Sequence, residues 1–86
     1  MSIEGAVIKE QGVTFAVVVV KSSVVQSQAT ASRTSASLSP SFGGIPVVLM
    51  AQDCRGKPTY WGRRDLARFL ANLPIAAIPW RRYDLR

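Results

Sequence analysis

The sequence predicts an α+β fold, in which a small, mostly antiparallel sheet of four to five strands carries one helix packed on a face. The predicted order is β-β-loop-β-β-α-β. Short apolar and β-branched runs are bounded by glycine, proline and polar turns, which is typical of strands. After residue 62, one segment repeats its apolar residues with the helical period. The length of 86 residues allows one core, so residues 1–86 are predicted to form a single small domain.

The first two strands are predicted to form a hairpin. Residues 3–10 alternate roughly between apolar and polar, residues 13–20 are almost wholly apolar, and Gln11-Gly12 supplies the turn. Residues 15–20 have little polar alternation. We therefore expect the second strand to be buried on both faces, or on one face and at an oligomer contact on the other.

A serine- and threonine-rich segment follows at about residues 22–43. Ten of the twenty residues from 22 to 41 are Ser or Thr, and Arg33 is the only charged one. Such tracts usually bury too little apolar surface to order themselves. We expect a flexible loop here rather than a polar strand, although a loop of this length is unusual inside a compact domain.

A second hairpin is predicted after this segment. Residues 46–52 are an apolar strand headed by proline, and residues 57–60 are the returning strand. Between them, Asp53-Cys54-Arg55-Gly56 has the composition of a type I turn followed by a left-handed glycine.

The one predicted helix spans residues 63–72. Leu66, Phe69, Leu70 and Leu73 follow the i, i+3, i+4, i+7 spacing, so they line one face. Asn72 and the following Pro74 are expected to end it. Residues 75–78 are predicted to be a last short strand, and residues 79–86 a basic aromatic C-terminal tail.

The strongest functional signal is a near repetition of one residue cluster. Trp61-Gly62-Arg63-Arg64-Asp65-Leu66 is followed nineteen positions later by Trp80-Arg81-Arg82-Tyr83-Asp84-Leu85. Trp, Tyr and Arg often dominate binding surfaces. The rings would offer stacking faces and the guanidinium groups would bind phosphates or carboxylates, or else both clusters serve packing and solvation. The candidate partner-binding residues are Trp61, Arg63, Arg64, Trp80, Arg81, Arg82 and Tyr83.

The net charge of +6 is concentrated in the same region. Residues 1–52 hold three basic and two acidic groups, whereas residues 53–86 hold eight basic and three acidic groups. Long-range attraction therefore favours acidic partners for the second half.

Composition argues against several function classes. The chain has no histidine, which removes the usual general base and the common zinc sites. Its one cysteine, Cys54, has no second cysteine with which to form a disulfide and no identifiable base to activate it. Gly56-Lys57-Pro58 lacks the remaining residues of a phosphate-binding loop. We expect no catalytic residue, cofactor or metal, and no small-molecule ligand is indicated.

Two function hypotheses remain open. The first is a non-catalytic interaction module, acting as a homo-oligomer or as an adaptor for a protein partner. The alternative is a single-stranded RNA- or DNA-binding protein that uses the basic aromatic C-terminal region. No apolar run approaches the roughly 20 residues needed to span a bilayer, and no export signal is evident, so we expect a cytoplasmic protein.

Overall fold

A computed structural model of the chain describes residues 2–10 and 12–84. Within these residues, five strands form one sheet and three α-helices pack against it. The strands are β1 (Ser2–Glu10), β2 (Val13–Val19), β3 (Val47–Gln52), β4 (Pro58–Trp61) and β5 (Arg81–Asp84). The helices are α1 (Ser22–Gln26), α2 (Gln28–Leu38) and α3 (Arg64–Ala71).

The sheet is mixed but mostly antiparallel, as predicted. Its strand order is β4-β3-β2-β1-β5. Strand β2 pairs with β3 in parallel, and the other three adjacent pairs are antiparallel. The strands of both predicted hairpins pair antiparallel, and Gly56 has the left-handed φ of 80° predicted for the β3–β4 turn. Gln11 of the first predicted turn lies outside the described residues.

Strand β2 is the centre of the sheet and is buried on both faces, which confirms the first alternative for this strand. Its residues alternate between two separate cores. The core on the α3 side consists of Ala6, Phe15, Val17, Val48, Met50, Leu66, Leu70 and Ile78. The core on the α2 side consists of Ala16, Val18, Ala31, Leu38, Val47 and Leu49. The protein's own helices therefore cover the valine-rich strand.

The prediction of a loop over residues 22–43 was wrong. This segment forms α1, α2 and a short 3₁₀ helix, Ser39–Phe42. The physical reason is the parallel β2–β3 pair, because parallel strands need a crossover connection and this one crosses the sheet face as helices. The structure also corrects the expectation of one helix packed on one face. Helices α1 and α2 lie on the side of the sheet opposite α3.

Helix α2 docks through small residues instead of a wide apolar stripe. Ala31 is fully buried and Leu38 nearly so. Between them, the Ser35 hydroxyl donates a hydrogen bond to the Val47 carbonyl oxygen, with 2.9 Å between the two oxygens. At the start of the helix, the Ser27 hydroxyl accepts a bond from the Thr30 amide. These contacts order a segment whose composition resembles that of a flexible loop.

Helix α3 confirms the predicted amphipathic helix. Leu66 and Leu70 are buried, and Phe69 and Leu73 are half-buried beside them. The rings of Phe69 and Phe15 meet edge to face, with centroids 6.4 Å apart and an interplanar angle of 88°. The helix therefore lies against the centre of the sheet.

The C-terminal region differs from its prediction in two ways. Residues 75–78 were expected to be a strand, but Ile75–Ala77 is a short 3₁₀ helix. Residues 81–84, expected to belong to a basic aromatic tail, form β5 along residues 2–5 of β1. Strand β1 has nine residues and would otherwise be an open sheet edge, so part of the tail pairs with it. Residues 85 and 86 of the predicted tail lie outside the described residues.

Candidate functional site

The two repeated clusters do not form one surface. Strands β4 and β5 are the two opposite edges of the sheet, so Trp61 in β4 and Trp80 just before β5 are separated by its whole width. They also lie on opposite faces. Trp61 packs against the α2-side core and Trp80 against the α3-side core. The sequence likeness therefore does not correspond to a shared binding site.

Both tryptophan rings have packing roles. Each is half-buried, and the indole Nε1 of Trp80 donates a hydrogen bond to the Ile75 carbonyl oxygen at 3.0 Å. This bond ties the residue before β5 to the first residue of the 3₁₀ helix, which leads into Ile78 of the α3-side core. Neither ring is presented as an exposed stacking platform.

One arginine of the first pair binds an aspartate of the same cluster. The Arg63 guanidinium binds the Asp65 carboxylate with two hydrogen bonds, of 2.9 Å from Nη2 and 3.3 Å from Nε. These bonds from Arg63 hold the pKa of Asp65 below its usual value. Asp65 lies in the first turn of α3, where negative charge is also favourable. Arg64 is exposed as the first residue of that helix.

The second arginine pair is more available. Arg81 and Arg82 are both exposed on β5, and strand alternation directs their side chains to opposite faces. Arg82 lies opposite Glu4 in the β1–β5 register, and Arg81 lies opposite Gly5. Within residues 2–10 and 12–84, neither guanidinium has a carboxylate oxygen within 4 Å. Among the described residues, both charges are therefore open to a partner.

Tyr83 completes this edge and is held in place. It is half-buried opposite Ile3, and its ring meets that of Phe42 edge to face at a centroid distance of 5.2 Å. Phe42 belongs to the 3₁₀ helix that follows α2. The strand is thus fixed to the sheet by pairing with β1 and by an aromatic contact from the crossover segment.

We call Arg81–Asp84 the β5 edge. In the described part of the chain, β5 has a strand neighbour only on its β1 side. The backbone N–H and C=O groups on an edge strand's outer side have no strand partner, which makes such edges templates for pairing with another chain. Sequence reasoning identified Arg81, Arg82 and Tyr83 but not the strand. The available signal was the pair of aromatic residues Trp80 and Tyr83, because aromatic side chains are favourable in strands.

A shallow pocket of about 270 Å³ lies between the β1–β2 hairpin and α3. Glu10, Asp65 and Arg68 bring charge to it, and apolar side chains form the rest of its lining. Asp65 is already bound by Arg63. Among the residues that the structure describes, no three histidine, cysteine, aspartate or glutamate side chains come together as a metal site. Cys54 is exposed in the β3–β4 turn.

Comparison of the chain with protein-family models, with curated proteins and with solved structures gives no significant match. For the described residues, none of the helices combines the length and apolar character that crossing a membrane requires.

Proposed function

We propose that this chain is a small non-catalytic interaction module that binds a protein through the β5 edge. One observation carries the proposal: an ordered edge strand presents two exposed arginines and an outer side that no described strand occupies. Addition of an extended strand to a sheet edge is a common mode of protein recognition, in which main-chain hydrogen bonds supply affinity and side chains supply specificity.

The rest of the described surface offers little apolar area for binding a partner, which favours the β5 edge as the binding site. Val7, with 43% of its surface accessible, is the one large hydrophobic side chain exposed among the described residues. Large hydrophobic interfaces need far more apolar area than one valine. Binding therefore rests on backbone pairing and on charge, and the partner's strand is expected to place carboxylates near Arg81 and Arg82.

A second candidate is binding of single-stranded RNA or DNA, which the exposed Arg81 and Arg82 favour. The structure supports this candidate less well than the sequence does, because Trp61 and Trp80 are packed against the two cores. Phosphate contacts without base stacking would give weak binding that falls steeply with salt.

A labelled synthetic peptide tests the edge. The probe is an extended peptide of alternating threonine and aspartate, compared with the same peptide N-methylated at every second amide. Methylation keeps the charge but removes the main-chain donors that strand addition needs. We expect the first peptide to bind and the second to bind at least about tenfold more weakly, which corresponds to the loss of one or two hydrogen bonds.

The matched variants are Arg81→Ala with Arg82→Ala, and Arg33→Ala on α2 as the control. The double variant is expected to weaken binding about three- to tenfold, since each exposed charge contributes up to about 1 kcal/mol. The control is expected to leave binding unchanged. Equal affinity for both peptides would show that charge alone attracts them. If the chain binds both peptides equally and binds a single-stranded oligonucleotide more tightly, nucleic-acid binding replaces strand addition as the proposed function.

A further inference from the structure

We propose that the strand that occupies the β5 edge belongs to a second copy of this chain. The two β5 strands pair antiparallel about a two-fold axis, which joins two five-stranded sheets into one. This inference rests on the proposed function, because it names the partner of the same edge. Its support is the self-complementary order of side chains along Arg81–Asp84.

The sheet geometry restricts how two such edges can meet. A two-fold axis perpendicular to the sheet maps each face of one copy's sheet onto the same face of the other copy's sheet. Residues that lie opposite each other across the axis must therefore point to the same face. Arg82 and Asp84 share a face because they are two positions apart in one strand. An axis at Tyr83 places Tyr83 opposite its own copy. The same axis places Arg82 of each chain opposite Asp84 of the other.

Charge selects this register over its neighbour. With the axis at Tyr83, two Arg–Asp pairs lie directly across the new strand pair, and opposite charges in that position are stabilising. With the axis at Arg82, the arginine faces its own copy, which is destabilising. The chosen register also forms a row of alternating charge across three strands, since Glu4 lies opposite Arg82 on its β1 side.

The central tyrosines fit this arrangement. Tyr83 is half-buried on the α2 side of the sheet, where Phe42 holds its ring. Aromatic residues opposite each other in antiparallel strands stabilise the pair. Because both rings are already ordered within their own chains, the second copy meets them at little cost in side-chain entropy.

The four-residue strand sets the expected strength of the dimer. An interface of this size is smaller than those of stable complexes, so we expect reversible association that depends on protein concentration. Each copy also carries a net charge of +6, which opposes association until salt screens it. The dimer is therefore expected in concentrated samples at moderate ionic strength.

Charge exchange provides the test, with sedimentation equilibrium as the measurement. Arg82→Asp creates an Asp–Asp contact across the axis, and Asp84→Arg creates an Arg–Arg contact. Each single variant is expected to associate at least about tenfold more weakly than the parent chain, because an attraction becomes a repulsion. An equimolar mixture of the two variants is expected to recover association, because each then meets its opposite charge. The double variant is expected to recover it as well.

Arg33→Asp is the control, since it changes the net charge as much as Arg82→Asp does but lies on α2. Thermal unfolding followed by circular dichroism checks that each variant is folded, and if Arg82→Asp is not, the comparison of Asp84→Arg with the parent chain carries the test. A parent chain that stays monomeric at millimolar concentration overturns the second copy as the occupant. Binding of the threonine–aspartate peptide by such a monomer leaves the proposed edge function standing. A dimer whose dissociation constant neither single variant changes also overturns the inference.

Discussion

Trp61 and Trp80 occupy equivalent places in two similar sequence clusters, yet they lie at opposite edges of the sheet and on opposite faces. Each ring packs against a different core. The separation excludes a single aromatic and basic surface formed by both clusters. It leaves Arg81 and Arg82 on the β5 edge as the basic residues that best combine exposure with an ordered backbone.

The role of Trp80 as a packing residue gives the first prediction. Trp80→Phe keeps an aromatic ring but removes the Nε1 donor to the Ile75 carbonyl oxygen. We expect the free energy of unfolding to fall by about 1–2 kcal/mol, from the lost hydrogen bond and the smaller ring. Urea denaturation measures this change. The folded variant should bind the threonine–aspartate peptide as tightly as the parent chain does. Loss of peptide binding without loss of stability would show that Trp80 is part of the binding surface.

Tyr60 carries a buried hydroxyl oxygen for which residues 2–10 and 12–84 supply no hydrogen-bond partner. Tyr60→Phe removes this unsatisfied group and keeps the ring against the α3-side core, so we expect the free energy of unfolding to rise by about 1 kcal/mol. Urea denaturation at pH 7 tests the sign. A clear loss of stability would mean that the hydroxyl is satisfied in solution.

The same residue predicts a dependence on alkaline pH. Burial raises the pKa of Tyr60 in the folded chain. The unfolded chain releases this proton at its usual pKa of about 10, so the contribution to stability is present below that pH and is lost as pH rises through the folded pKa. Tyr60→Phe should therefore weaken the fall in melting temperature above pH 10. The same fall in melting temperature above pH 10 in the parent chain and in Tyr60→Phe would contradict the assignment of this pH dependence to Tyr60.

Asp65 predicts the opposite behaviour in acid. Hydrogen bonds from Arg63 lower the pKa of this carboxyl in the folded chain. Its contribution to stability is therefore present above the unfolded pKa of about 3.9 and is lost as pH falls through the lowered folded pKa. Asp65→Asn should reduce the melting temperature slightly at pH 7 and make it less dependent on pH between pH 4 and 2. An unaltered pH profile would show that the Arg63 contact is not maintained in solution.

The docking of α2 gives a paired prediction. Ala31 is fully buried against the sheet, whereas Ala36 on the same helix is exposed. Ala31→Leu forces three extra carbon atoms into that contact and is expected to lower the free energy of unfolding by about 1–3 kcal/mol. Ala36→Leu is the matched control and should change it by less than about 0.5 kcal/mol. Equal effects at both positions would argue against this orientation of the helix.

Much of the framework was predictable because it follows from local pattern. The valine-rich run of β2 lacks polar alternation, and burial of both its faces is the physical result. The spacing of Leu66, Phe69 and Leu70 likewise predicts the buried face of α3. Asp53 and Gly56 specify the β3–β4 turn, where the Asp53 carboxylate accepts bonds from the Arg55 and Lys57 amides.

The misplaced elements depend on contacts between distant parts of the chain. Helix α2 turns the buried Ala31 and Leu38 and the half-buried Ser35 toward the sheet, and their helical spacing was hidden because two of the three are small. Strand β5 forms because β1 offers an open edge, and that is known only once the sheet order is known. The candidate residues of the second cluster were found by composition, but their relation to an edge required the three-dimensional arrangement.

Amide NMR spectra of the isotope-labelled chain over increasing protein concentration test most directly whether a second copy pairs with the β5 edge. We expect chemical-shift changes that grow with concentration and are confined to Arg81–Asp84 and to the neighbouring residues 2–5 of β1. Resonances of β4 and α2 should stay in place. Concentration-dependent shifts centred on β4, or unchanged β5 resonances up to millimolar concentration in a chain that also fails to bind the threonine–aspartate peptide, would contradict this pairing.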